Sequence, residues 1–209
     1  MMKLLTLISI LFTFEVHAIE LEACFESAKF YGDGTGRDKI ADDCFEVLKS
    51  NGAQTVTSSK DDIQIVGLQN LIMIKNFSSN KITAIAGKYT ELDEVKALSF
   101  DEVFNELYVL GANGEIKVYM TNLPGNVAPI RYFRHPEDAK ISKFTVDFLN
   151  GKVHLYSEQD QEIVVIDREA NLMQPIHKQK QNILQRHPAS NVADLKFDRK
   201  SGKVILKSR

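Results

Sequence analysis

Two cysteines, five histidines and a recurring aspartate are the side chains of this sequence with chemistry to offer. Cys24 and Cys44 lie ten residues either side of Gly34. Glu20 to Tyr31 carries apolar residues at Leu21, Cys24, Phe25 and Ala28, one face of a helix. Arg37 to Ser50 carries a second such face, at Ile40, Ala41, Cys44, Val47 and Leu48, and Asn51-Gly52 ends it. Gly32-Asp33-Gly34-Thr35-Gly36 between them breaks the helix. In an antiparallel hairpin folded at Gly34, the two cysteines sit at the same height and face each other. A disulfide is therefore expected, and closing a loop of this size contributes about 3 kcal/mol in the chain-entropy model. A metal pair or a reactive thiol is the rival reading. Two cysteines without nearby histidines make a poor zinc site.

The glycine turn does not read as a phosphate loop, because no strand precedes it and the Gly-x-Gly-x-x-Gly spacing is absent. Nor does it read as a calcium loop. Thr35 and Arg37 stand where carboxylates are needed, and no Glu closes the loop.

The histidines are scattered. His135 and His187 each precede a proline and His177 lies in a polar stretch, so these three read as loop residues. His154 alternates with Val153 and Leu155 in a strand and faces away from them. None sits in a two-histidine helical motif or beside a nucleophile in a recognisable signature. No catalytic set, metal site or cofactor is expected from these residues.

One stretch offers a contact surface. His177-Lys178-Gln179-Lys180-Gln181-Asn182, ending in Arg186-His187, is basic and glutamine-rich and reads as an extended solvated loop. It lacks the interleaved aromatics of a nucleic-acid patch. His177, Lys178, Lys180 and Arg186 are the candidate binding residues, because long loops often carry binding.

The N-terminus gives the compartment in which this chemistry would operate. Lys3, the apolar run Leu4 to Phe14 and the small-residue pattern Val16-His17-Ala18 follow the order of a signal peptide cleaved after Ala18. The run is too short for a permanent membrane anchor. Leu21-Glu22-Ala23-Cys24 partly matches a lipobox, but Glu15, Glu20 and Glu22 separate Cys24 from the apolar run. Export to the periplasm or the exterior is expected, where disulfides form. The net charge is −2, and it stays −2 when Lys3 and Glu15 leave with the signal. That balance gives no reason to expect nucleic acid or an anionic membrane as partner.

From Gly52 onward helical periodicity gives way to short alternating runs, and the runs repeat. Leu98-Ser99-Phe100-Asp101, Phe144-Thr145-Val146-Asp147 and Leu195-Lys196-Phe197-Asp198 each open a unit, and in each a second strand starts six residues after the aspartate. These second strands are Leu107 to Leu110, Val153 to Tyr156 and Val204 to Leu206. Third strands start at Leu71, Ile116 and Ile163, spaced by 45 and 47 residues. An earlier unit fits the frame with Gln54 to Thr57, Ile63 to Val66 and Asn70 to Ile74. Fourth strands are expected at Ile82 to Ile85, Ile130 to Phe133 and, weakly, near Leu172 to Ile176. Four short strands per period of this length read as propeller blades. Asp101, Asp147 and Asp198 read as turn residues that accept backbone hydrogen bonds; a ring of ligands is the alternative.

Leu107-Tyr108-Val109 with Ile116-x-Val118-Tyr119, and Ile163-x-Val165-Ile166-Asp167, resemble the broad group of periplasmic and secreted β-propellers. The resemblance spans roughly residues 53–209. It implies the fold and leaves function open, because such propellers host unrelated activities. The expected architecture is mainly β: a partial or small β-propeller of about three and a half four-stranded blades over 53–209, preceded by a disulfide-linked helical hairpin over 19–52. The odd half blade raises the expectation of a protein partner or self-association. The expected function is that of an exported, non-enzymatic binding module. The alternative is an enzyme or metal-dependent ligand binder, with a channel site built from residues such as Asp101 and Asp147.

Overall fold

The computed structural model describes residues 22–24, 39–60, 62–135, 139–169 and 183–208. Residues 22–24 are helical, and α1 runs over Lys39–Ser50. The remainder of the expected first helix and the Gly32 to Gly36 turn lie outside the described residues. Among the described residues fourteen strands follow, in sheets that keep the order of the sequence. The first sheet is β1 (Gln54–Thr57), β2 (Ile63–Leu68), β3 (Leu71–Asn76) and β4 (Lys81–Ala86). The second is β5 (Val95–Asp101), β6 (Glu106–Gly111), β7 (Ile116–Met120) and β8 (Arg131–Phe133). The third is β9 (Lys143–Asp147), β10 (Lys152–Ser157), β11 (Glu162–Asp167) and β12 (Ile183–Pro188). The pair β13 (Val192–Asp198) and β14 (Lys203–Ser208) forms the fourth. Every pairing within these sheets is antiparallel between neighbours in sequence. Strands of different repeats do not interleave in one sheet, which is the construction of a propeller blade rather than a sandwich.

One expectation is corrected. The fourth strand of the third sheet is Ile183–Pro188, whereas 183–187 had read as the end of a solvated loop. Its polar residues Gln185, Arg186 and His187 are exposed. An outer strand facing water carries no apolar alternation by which to recognise it. The weak strand expected near 172–176 lies outside the described residues.

The chain divides into two compact units. The first holds the described residues through Leu92 together with Pro124–Val127. Here α1 lays Ala41, Cys44, Phe45 and Leu48 on a core with Cys24, Val66, Leu71, Met73, Ile82 and Ala84. The helix stops as the asparagine-glycine pair requires. Asn51 Nδ2 donates to the Val47 carbonyl at 2.8 Å, and Gly52 takes φ +79°. The amphipathic face of α1 thus closes one side of the first sheet.

The second unit, Asp93–Leu123 and the described residues from Ala128 on, contains the other three sheets. They pack face to face in sequence order. Tyr108, Leu110, Ile116, Val118 and Phe133 of the second sheet meet Phe144, Val146, Val153, Leu155, Val164 and Ile166 of the third. The opposite face of the third sheet sets Tyr156, Ile163 and Val165 against Val192, Leu195 and Val204 of the fourth. Successive residues of β11 therefore serve two different cores. That explains its unbroken run Ile163-Val164-Val165-Ile166, since a strand buried on both faces needs no polar alternation.

Candidate interaction face and buried charge network

The recurring aspartates build the turns between first and second strands. Asp101 Oδ1 accepts from the backbone N–H of Val103 and Phe104 at 3.0 and 3.3 Å. Asp147 Oδ1 accepts from Leu149 and Asn150 at 3.1 and 3.0 Å. Asp198 Oδ1 accepts from Lys200 at 3.1 Å, and Ser201 Oγ donates to Asp198 Oδ2 at 2.6 Å. Four residues after each aspartate the backbone turns left-handed, at Asn105 (φ +57°), Gly151 (φ +63°) and Gly202 (φ +66°). Those are residue types that tolerate positive φ. In the first sheet, whose strand ends on Thr57, the neighbouring Ser58 replaces the aspartate, donating to Asp62 Oδ1 at 2.6 Å and accepting from Ile63 N–H at 3.1 Å.

These turns do not pool their carboxylates. Among the described residues, Asp101 and Asp147 belong to no group of three metal-ligating side chains; the one such group is His135, Asp160 and Glu162. Asp101 is instead neutralised by Arg168, whose Nη1 donates to Oδ2 at 2.7 Å with both side chains buried. From there alternating charges continue through Glu169, whose side chain is 68% exposed, to a second buried pair. Arg168 bonds Glu169 at 3.2 Å, Glu169 lies 3.6 Å from Arg131, and Arg131 Nη2 lies 2.5 Å from Glu106 Oε2. Tyr108 donates to the same Glu106 oxygen at 2.8 Å. Burial, and then the Glu106 charge, push the Tyr108 phenol well above its ordinary pKa, so it stays a neutral donor.

The turns of the second and third sheets expose large apolar side chains to solvent. Val103 is 76% exposed, Phe104 49% and Leu149 71%, all in turns between first and second strands. Leu123, 57% exposed, follows β7 at the same end of the second sheet. The guanidinium of Arg168 stacks on Phe104, 4.0 Å from the ring centroid. Arg199, in the turn of the fourth sheet, pairs with Glu102 and caps the Phe100 carbonyl at 3.1 Å, and it stacks on Phe148. The turns of three successive sheets are thereby tied into one surface of the second unit. The opposite end of the same sheets is polar. Its turns read Ala112-Asn113-Gly114-Glu115 and Glu158-Gln159-Asp160-Gln161.

The other expected residues fall as follows. Cys24 and Cys44 form a disulfide, with Cα atoms 5.4 Å apart, and both are buried. His177, Lys178 and Lys180 lie outside the described residues. Arg186 stands on β12 and donates to Glu162 Oε1 at 2.8 Å. His135 lies beyond a strand end, as its proline neighbour suggested, but its side chain is fully buried rather than solvated. His154, on β10, is half-buried. Burial lowers its pKa, Asp147 works against that, and His187 lowers it further. A histidine depressed in the folded state destabilises the fold as pH falls below its unfolded value of about 6.5. His154→Gln should therefore flatten the loss of stability between pH 7 and 5, read as urea midpoints. Equal pH slopes for the two proteins would contradict this.

The apolar turn residues are what sequence reasoning missed. Val103-Phe104 and Phe148-Leu149 occupy turn positions, two or three residues past an aspartate or directly after it, where polar residues are usual. That local mismatch is the signal that could have found them.

No protein-family model matches this chain. No curated protein matches it. Among solved structures, the β-propeller domain of Myceliophteria thermophila Cps50 (Swd1) is similar, with a TM-score of 0.51 at 11% identity. That match covers 78% of this chain and 50% of the other, so this chain spans about half of that neighbour's length. A chain of a mitotic checkpoint complex aligns with a TM-score of 0.47 at 16% identity, over 65% of this chain and 37% of its own. Together with the in-order four-stranded sheets, the first likeness places the chain among folds of β-propeller type.

Proposed function

We propose that this protein is an exported, non-enzymatic binding module that engages a protein partner, or a second copy of itself, through the apolar turn face of its second unit. In this reading residues 1–18 direct export and are cleaved after Ala18, residues 19–52 form a disulfide-linked hairpin and 53–209 form the binding scaffold. The observation that carries the binding role is the contrast between the two ends of the sheets. Val103, Phe104, Leu123 and Leu149 stand exposed at one end, and the turns at the other end are polar. Clustered exposed apolar side chains on a rigid scaffold mark interaction sites. The arginines that stack on Phe104 and Phe148 fix the aromatic side chains in place, which lowers the entropy cost of binding. The disulfide supports the export reading, because such bonds persist in oxidising compartments. The alternative, a channel site on Asp101 and Asp147, gains no support from their positions, since each is occupied by its own turn.

The test is a triple variant, Val103→Ser, Phe104→Ser and Leu149→Ser, immobilised beside the wild type and challenged with envelope extract, with self-association followed by sedimentation. Removing about three exposed apolar contacts should weaken retention at least tenfold while leaving the near-ultraviolet circular dichroism unchanged. Identical retention and identical sedimentation would refute the assignment.

A further inference from the structure

At the polar end of the second unit an imidazole is buried between two carboxylates. His135 follows β8 by two residues, and its side chain is fully buried. Its Nδ1 lies 3.3 Å from Asp160 Oδ2, and its Nε2 lies 3.5 Å from Glu162 Oε1. Arg186 Nη1 donates to that same Glu162 oxygen at 2.8 Å. One ligand atom from each of His135, Asp160 and Glu162 falls within 4.8 Å of the other two. The groups come from separate places: His135 from the segment after β8, Asp160 from the turn into β11 and Glu162 from the start of β11, with Arg186 reaching in from β12.

We infer that His135, Asp160 and Glu162 form a binding site for a divalent transition-metal ion, with zinc the best match, and that Arg186 competes with the ion for Glu162. A neutral imidazole has one N–H and one lone pair. A carboxylate oxygen lies within 3.5 Å of each ring nitrogen, so an ion held by the lone pair would meet negative charge beside it. One nitrogen and two carboxylate donors suit zinc, with two negative charges to offset its own. Zinc–ligand distances of about 2.0–2.2 Å set neighbouring donors roughly 3–4 Å apart, so donors lying within 4.8 Å of one another would draw in by up to about an ångström around one ring nitrogen.

Burial decides which groups move. His135 is the fixed anchor. The side chains of Asp160 and Glu162 are 29% and 18% exposed, so they can adjust and water can complete the coordination. Arg186 is 37% exposed and can swing into solvent as the ion takes its place. A metal held here would join the second sheet to the third within the unit. The inference is independent of the turn face, which lies at the other end of the sheets.

Calorimetric titration of the metal-free full-length protein with zinc chloride at pH 7.5 tests it, with cobalt(II) absorption as a check on coordination. The wild type should bind one equivalent saturably. Asp160→Asn should weaken binding about tenfold or more, as loss of a charged ligand does. Arg186→Gln should tighten binding about tenfold, a gain of about 1.4 kcal/mol, because the competing guanidinium is gone. Both substitutions are at exposed side chains, and near-ultraviolet circular dichroism verifies the fold. Three results would each overturn the site: no saturable binding by the wild type, Asp160→Asn binding as tightly as the wild type, or Arg186→Gln binding no tighter.

Discussion

Replacing Arg168 with alanine should cost the second unit about 3–5 kcal/mol, the usual penalty for breaking a buried ion pair from one side. The Asp101 side chain is 2% exposed and that of Arg168 7%. Without the guanidinium, the Asp101 carboxylate is left buried with, among the described residues, the Val103 and Phe104 amides to offset its charge. The same substitution removes the cation stacked on Phe104 and detaches Asp101 from Glu169, which keeps its own contact with Arg131. Charge rather than volume should dominate. The double variant Asp101→Asn with Arg168→Met keeps the turn acceptor and the packing while removing both charges, and it should recover more than half of the loss. The chain lacks tryptophan, so tyrosine circular dichroism is the probe for urea unfolding. Tyr108, Tyr119, Tyr132 and Tyr156 all report on the second unit. A loss below about 1 kcal/mol for Arg168→Ala would mean that water reaches the pair and that the network does not hold the turns.

The second large effect belongs to the first unit. Opening the Cys24–Cys44 bond, across a sequence separation of 20, should lower stability by about 3 kcal/mol in the chain-entropy model. The bond joins residues 22–24 to α1, and both cysteines pack into the core that α1 shares with β2, β3 and β4. Reductant should therefore lower the urea midpoint of the wild type. The variant Cys24→Ala with Cys44→Ala should start at the lowered midpoint and not respond to reductant. Amide exchange in α1 should quicken in both cases, because that helix loses its covalent tie. Two free thiols in a non-reducing peptide map of the purified protein, or a midpoint indifferent to reductant, would contradict this.

Much of this fold was legible because the sheets are built from consecutive strands. Short-range periodicity and the spacing from aspartate to second strand were enough to place β1 to β11, β13 and β14. The repeated aspartate was legible for a local reason as well: its turn-forming bonds reach no further than three residues from itself. What depends on distant partners was not. β12 pairs with β11 through its backbone while Gln185, Arg186 and His187 face water, so its side chains resemble those of a loop. His135 reads as an ordinary histidine before proline. Its burial depends on Asp160 and Glu162, which the turn of another sheet brings to it. The turn face was hidden in the same way. Val103-Phe104 and Phe148-Leu149 are short apolar pairs in separate turns, and they gain meaning when Arg168 and Arg199 tie those turns together.

The most direct test of the binding role is site-specific photo-crosslinking in living cells. A photoreactive phenylalanine analogue would replace Leu149 on the turn face and, as a control, Lys96, which is exposed on β5. The account predicts a discrete adduct from position 149, whether to another protein or to a second copy of the chain, with none from position 96. It also predicts that Val103→Ser with Phe104→Ser on the same chain abolishes that adduct. No adduct from position 149, or one that survives the loss of Val103 and Phe104, would show that this face is not where the protein binds.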